Sequence, residues 1–254
     1  MKIPFIFNAS PDAGSSQHTL ERISILKSLA LGLLYSLTIL MAGSACATES
    51  LQQIFDKVAS VYGATPPAVT RETGTTTSLL RGDGSLLRLY KAPDRFHIEI
   101  SYASSSESRT MVGAMAWYQH TPANPVLRGA IALQAARIAL PWSMLERQSA
   151  AVDLGAVSIS DGKTVRAIEF PLEDQLKLVI EIDPESGHIL RSRGIQSLGD
   201  KTIEFATVYS DFRKENGRIH PAHEEQFAMG VNTGHSIIEN IEYPESIPDG
   251  AFMP

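Results

Sequence analysis

The sequence predicts an α+β fold: one large, curled antiparallel sheet forming an unclosed β-barrel, with helices covering its concave side. Three observations carry that prediction. Past residue 63 the apolar period changes from about 3.6 to 2 and stays near 2 through most of the chain beyond it. Short Gly-, Pro-, Asp- and Asn-containing turns separate the extended runs, which makes successive strands antiparallel neighbours. Only two stretches read as helices of useful length, so they alone are available to cover the inside of such a sheet.

Ser50 followed by Gln53 forms a capping-box pattern, and Leu51, Ile54, Phe55, Val58 and Tyr62 recur at helical spacing until Gly63 and the Pro66-Pro67 pair. Residues 71–78 are rich in Thr, and the run 79–90 is broken by Gly82-Asp83-Gly84, read as a turn. The cleanest alternation places Phe96, Ile98, Ile100 and Tyr102 on one face and His97, Glu99 and Ser101 on the other. A loop at Ser104, Ser105 and Ser106 leads to an extended run, 110–120, that ends at Pro122 and Pro125. Residues 126–140 then read as a helix apolar on most of its circumference, wetted only by Arg128, Gln134 and Arg137, so something must cover it. Pro141 stops or kinks that helix, and Trp142, Met144 and Leu145 continue a short apolar segment.

The remaining chain returns to strands, at 164–170, 176–183, 189–195, 202–212, 218–229 and 236–243. Their turns fall at Asp183-Pro184-Glu185-Ser186-Gly187, Gly199-Asp200, Glu215-Asn216-Gly217 and Asn232-Thr233-Gly234. About nine or ten strands in one domain predict a sheet that curls.

Residues 1–47 read as a signal-peptide region. Arg22 and Lys27 precede a nearly charge-free apolar run, 28–41, followed by Ala42, Gly43, Ser44 and Ala45. The run is short of the ~20 residues a membrane helix needs. Ala45-Cys46-Ala47 fits small-x-small cleavage, leaving a domain of residues 48–254 without cysteine. Two alternatives stand beside this: an uncleaved anchor, and a lipidated Cys46, which has Gly43 where such sites favour a branched apolar residue. The expected localisation is the periplasm.

Of 22 basic and 28 acidic residues, Lys2, Arg22, Lys27, Asp12 and Glu21 precede residue 48, leaving 19 against 26, a net charge of −7. No Lys/Arg cluster accompanies that acidity, which argues against a nucleic-acid partner. His220-Pro221-Ala222-His223-Glu224-Glu225 is neither in the His-Glu-x-x-His order nor helical, and is expected to be a solvated edge strand rather than a metal site. Ser158, Ser160 and Asp161 lack a glycine-serine elbow, and no Gly-rich phosphate loop occurs. The expectation is a protein that is not an enzyme and has no cofactor and no metal.

The ordered pieces resemble the LolA-type periplasmic lipoprotein carriers and the wider superfamily that includes LolB and RseB. An opening helix leads to a strand, then to Lys91-x-Pro93-x-x-Phe96 and to Met111-Val112-Gly113-x-x-x-Trp117-Tyr118. An apolar helical segment and a late meander with an Asp-Pro-x-x-Gly turn follow, as in that family. Two positions depart: Ala92 stands where the carriers have an arginine that helps hold the lid, and Val112 directly precedes Gly113 where an aspartate is expected. The resemblance implies helices acting as a lid over an apolar cavity that shelters the acyl chains of a lipid or lipoprotein. Inner- or outer-membrane protein partners would load and unload it. Its other members imply an alternative, an RseB-like envelope sensor or interaction module that binds a membrane protein.

Phe96, Ile98, Ile100, Trp117, Leu178 and Ile180 are the candidate lining of that cavity, with Ile131, Ile138 and Trp142 contributed by the covering segment. Packing of the same side chains into a closed core is the competing reading, and Arg128 and Arg137 are either headgroup contacts or a solvated face. Each methylene moved from water contributes about 0.8 kcal/mol, so about 14 of them offer roughly 11 kcal/mol before ordering costs. A hollow sheet needs no catalytic group to hold such a guest.

Overall fold

The computed structural model describes residues 49–159, 162–173 and 175–253. The leader reading, Cys46, Ser160 and Asp161 lie outside the described residues. Helix α1 (Leu51–Tyr62) starts as its capping box dictates: Ser50 Oγ accepts from the Gln53 amide, and the Gln53 side chain accepts from the Ser50 amide at 2.8 Å. Gly63, at φ +91°, ends it. Helix α2 (Pro125–Ile138) is capped by Asn124, whose side chain accepts from the Leu127 amide at 2.9 Å, and has proline at its first position. The short helix α3 (Trp142–Glu146) follows Pro141.

The strands are β1 (Val69–Ser78), β2 (Gly82–Lys91), β3 (Arg95–Tyr102), β4 (Ser106–Val112), β5 (Met115–Tyr118), β6 (Thr121–Pro122), β7 (Val152–Ser158), β8 (Thr164–Glu173), β9 (Leu176–Ile182), β10 (Ile189–Leu198), β11 (Lys201–Glu215), β12 (Arg218–Ala228) and β13 (Val231–Glu242). All thirteen form one antiparallel sheet in the order β6-β5-β4-β3-β2-β1-β13-β12-β11-β10-β9-β8-β7. The sheet is not closed, since β6 and β7 are free edges. Every neighbour is sequential except the β1–β13 seam, which joins residues as far apart as Arg71 and Glu242.

The count exceeds the nine or ten strands expected because the run 110–120 breaks at Gly113, φ +57°, into β4 and β5, with the short β6 beyond, and because β7 carries no clean alternation. Two turns also move. Gly82-Asp83-Gly84 is strand, not turn: the loop is 79–81, and Gly82, at φ +75°, is the left-handed residue that closes a three-residue hairpin loop. The β12–β13 turn is Met229-Gly230, both at positive φ, as a two-residue hairpin turn requires. Asn232-Thr233-Gly234 instead marks a register shift opposite Gln226 and Phe227, with Asn232 Oδ1 accepting from the Gly234 amide at 2.9 Å.

Three apolar clusters hold the helices to the sheet, the smallest joining Ala132 and Leu133 of α2 to Leu176 of β9. The buried face of α1, Ile54, Phe55, Val58 and Tyr62, packs with Phe170, Leu178, Ile180, Ile182 and Met144. Ile131 of α2 packs with Leu86, Phe96, Ile98 and Ile100 from β2 and β3. Helix α2 meets β4 and β5 on one arm of the sheet and β9 and β10 on the other, so it spans the concave side.

Candidate ligand cavity

Beneath α2 the sheet encloses a cavity of about 530 Å³, within the ~300–1,000 Å³ range of small-molecule sites. One wall is apolar, formed by Leu86, Ile98 and Ile100 on alternate positions of β2 and β3 and by Leu127, Ile131 and Ile138 of α2. The facing wall comes from β1, β11, β12 and β13 and offers Thr76, Thr207, Gln226 and Ser236 beside Phe205 and Phe227. The cavity reaches the surface at the β1–β2 turn, where Leu80, 96% exposed, and Arg81 line it.

Charged groups line it as well. Arg88 of β2 sits between two carboxylates, its Nε 3.0 Å from Glu72 and its Nη1 3.0 Å from Glu224, and all three side chains are largely buried. Glu72 and Arg88 are direct cross-strand neighbours in the β1–β2 ladder. Burial pushes the Glu72 carboxyl above its usual range, and Arg88 pulls it part of the way back. Burial also works against the Arg88 charge, but Glu224 and Glu72 outweigh it and hold that guanidinium more firmly protonated than usual. Arg88 Nη2 makes no hydrogen bond among the described residues. Tyr209 is pushed up to about 12, by burial first and Glu224 next, so its hydroxyl stays neutral and pairs with Ser192 at 2.8 Å.

Nearer the mouth, Glu107 of β4 is shared by Arg81, at 3.0 Å, and Arg109. Arg109 Nη1 also donates to the Gln134 side chain of α2 at 3.0 Å. Arg137, in the last turn of α2, donates from Nη1 to the Phe205 carbonyl at 3.2 Å and lines the cavity. Among the described residues it has no carboxylate within ion-pair distance.

The nine sequence-predicted residues fall into four places, with Ile138 shared by two of them. Ile98, Ile100, Ile131 and Ile138 line the cavity. Ile138 and Trp142 line a second, smaller space of about 60 Å³ behind Arg88 and Arg137, where the Trp142 indole donates to the Gly63 carbonyl at 3.0 Å and Arg218 lies over its ring. Phe96, Leu178 and Ile180 are fully buried in two of the packed clusters, and Trp117 lies half-buried on β5 between Thr110 and Pro122.

The histidine run is not a solvated edge. It belongs to β12, an interior strand between β11 and β13, and its inward face carries His220, Ala222 and Glu224, all buried. Pro221 is accommodated because pairing with β13 begins only at His223. The solvated-face reading of Arg137 also fails, since the side chain turns inward, whereas Arg128 makes a two-pronged pair with Glu173 at 3.1 and 2.9 Å. The charged lining escaped sequence reading although a signal existed: Leu86 and Arg88 share one face of β2, and a charge on an apolar face asks for a partner.

An open antiparallel sheet with helices across its hollow is a LolA-like fold. The crystal structure of a LolA superfamily protein from Nitrosomonas europaea is similar over 81% of this chain and 98% of that one, with a TM-score of 0.54 at 14% sequence identity. Lower scores come from a DUF1329 family protein from Desulfovibrio piger (81% and 98% covered, 0.49, 13% identity) and from a putative outer membrane lipoprotein-sorting protein domain from Vibrio parahaemolyticus (80% and 95%, 0.44, 10%). At such identities the likeness is one of fold. No family model matches the chain, and a search of curated proteins finds no match.

Proposed function

We propose that the protein is a non-catalytic carrier or chaperone that works in the periplasm and shelters the apolar part of a lipid or lipoprotein in the cavity under α2. The observation that carries this reading is the cavity itself: about 530 Å³ of space with an aliphatic wall, roofed by a helix that spans both arms of an unclosed sheet. The apolar run preceded by Arg22 and Lys27 supports export. Among the described residues no helix is long and apolar enough to cross a membrane. The likeness of fold to a LolA superfamily protein fits a sorting role, in which partners in the membranes load and release the cargo.

Ala130 of α2 is half-buried and lines the cavity, so Ala130→Trp places an indole inside without removing a packed side chain. Titration with the apolar fluorescent probe N-phenyl-1-naphthylamine is expected to show saturable binding that membrane lipids displace. The variant is expected to weaken it about tenfold or more. Equal binding by the variant, or failure of the parent protein to hold either probe or lipid, rules the reading out.

A further inference from the structure

The cavity is lined by four arginines, Arg81, Arg88, Arg109 and Arg137, against two glutamates, Glu107 and Glu224. With Glu72 behind Arg88, four cations face three anions, leaving a net charge of +1 around the space. The surplus is localised. Arg88 is bracketed by its two carboxylates, Glu107 divides its charge between Arg81 and Arg109, and Arg137 has only a backbone carbonyl. Gln134, one turn before Arg137 on α2, accepts from Arg109 of β4, which ties the Arg109 guanidinium to the helix turn that precedes Arg137.

Arg137 owes its position to the sheet. Gly194 of β10 leaves the gap: a Cβ there would stand 3.0 Å from Arg137 Nη1 and 3.1 Å from Leu133 Cβ. Partial burial holds both the Arg109 and Arg137 guanidiniums below their usual range, although each keeps some of its surface open. Desolvated guanidinium against a purely alkyl guest would be costly, and a planar fork of donors suits an oxyanion.

We propose that the cargo is an anionic amphiphile, its carboxylate or phosphate head held by Arg137 and Arg109 inside the cavity and its chain lying along Ile98, Ile100 and Ile131. This rests on the carrier reading and narrows it: the site selects a charged head as well as an alkyl chain. The rival role for Arg137 is structural, as a through-space counter-charge to the Glu72–Arg88–Glu224 group.

Chain-matched probes separate these cases. Dodecanoate, dodecyl phosphate and dodecanol are titrated against the protein by displacement of N-phenyl-1-naphthylamine, with acetate and inorganic phosphate as chainless anions. One or both anionic amphiphiles are expected to bind at least about tenfold more tightly than dodecanol, in keeping with charge-assisted hydrogen bonds. The tighter of the two names the head. Acetate and inorganic phosphate are expected not to compete at the same concentrations. Arg137→Gln is expected to erase the preference by weakening the anionic amphiphiles at least about tenfold more than dodecanol, and Arg137→Lys to keep part of it.

Equal affinity of dodecanol and both anions for the parent protein overturns the proposal and leaves the carrier reading standing, and that comparison needs no variant to fold. So does an Arg137→Gln variant that weakens all three ligands alike, which assigns the arginine the structural role. Competition by inorganic phosphate or acetate as strong as by the dodecyl compounds also overturns it, because the chain would then contribute nothing. Absence of binding by all three dodecyl compounds removes the carrier reading itself.

Discussion

Arg88 shows how a single side chain settles the chemistry of the hollow. Its two carboxylate partners come from β1 and β12, and Glu224 lies 136 residues from Arg88 in sequence. Breaking such a buried group by removing one partner typically costs about 3–5 kcal/mol, because charges are left uncompensated. Arg88→Met is therefore expected to lower the unfolding free energy at pH 7 by about that amount, measured by urea denaturation. The pH dependence has a definite sign. Glu72 already has a folded-state pKa raised above the usual 4.5, so its burial costs stability as pH rises from the unfolded value through the folded one, and costs nothing below the unfolded value. Without Arg88 that penalty grows, and the gap between variant and parent should narrow as the pH falls through the raised folded values toward the usual 4.5. A gap that stays constant from pH 7 to pH 4 would show that Arg88 acts by packing alone.

At the scale of elements, what is local in the chain was legible and what is assembled from afar was not. The capping box at Ser50 and Gln53 fixes where α1 begins, and Asn124 with Pro125 fixes α2, because those caps are satisfied within a few residues. The alternation of Phe96, Ile98 and Ile100 gave β3 its buried face for the same reason. The turns near Gly82 and Gly234 were misplaced because glycine serves several ends: Gly82 closes a loop, and Gly234 sits at a register shift. Which apolar faces pack and which line a space depends on what crosses them. Leu178 and Ile180 alternate as cleanly as Ile98 and Ile100, yet α1 covers the first pair and the hollow meets the second. Gly74 exposes the same dependence on distant partners. It lies at the bulge of the β1–β13 seam, and a Cβ there would stand 1.9 Å from the Ile237 carbonyl oxygen, a backbone atom that cannot yield without disturbing the ladder. Gly74→Ala is expected to cost more than about 2 kcal/mol. Gly199→Ala, in an open turn at φ +64° with nothing within 4 Å, should cost about 1–2 kcal/mol from backbone strain alone. Equal losses for the two in urea denaturation would mean that the seam tolerates displacement.

A molecule built around a hollow carries a stability deficit that a guest bound there would offset. Close packing is the rule in protein interiors, and the side chains facing an unfilled space forgo contacts they would otherwise make. Here the sheet stays open because its two arms are tied by α2 and by separate apolar clusters instead of by one continuous core. A ligand that binds only the folded state adds about 2.7 kcal/mol at a hundred times its dissociation constant. For a domain of this size each kcal/mol moves the melting temperature by about 2–4 °C, so saturation with a well-matched amphiphile should raise it by roughly 5–10 °C. Ala130→Trp makes the argument two-sided. If the indole takes the guest's place, the unliganded variant melts no lower than the unliganded parent, and amphiphile no longer shifts its transition. A variant that melts lower yet still gains the full ligand shift would place the guest somewhere other than under α2, and differential scanning calorimetry of both proteins with and without dodecanoate decides between the two.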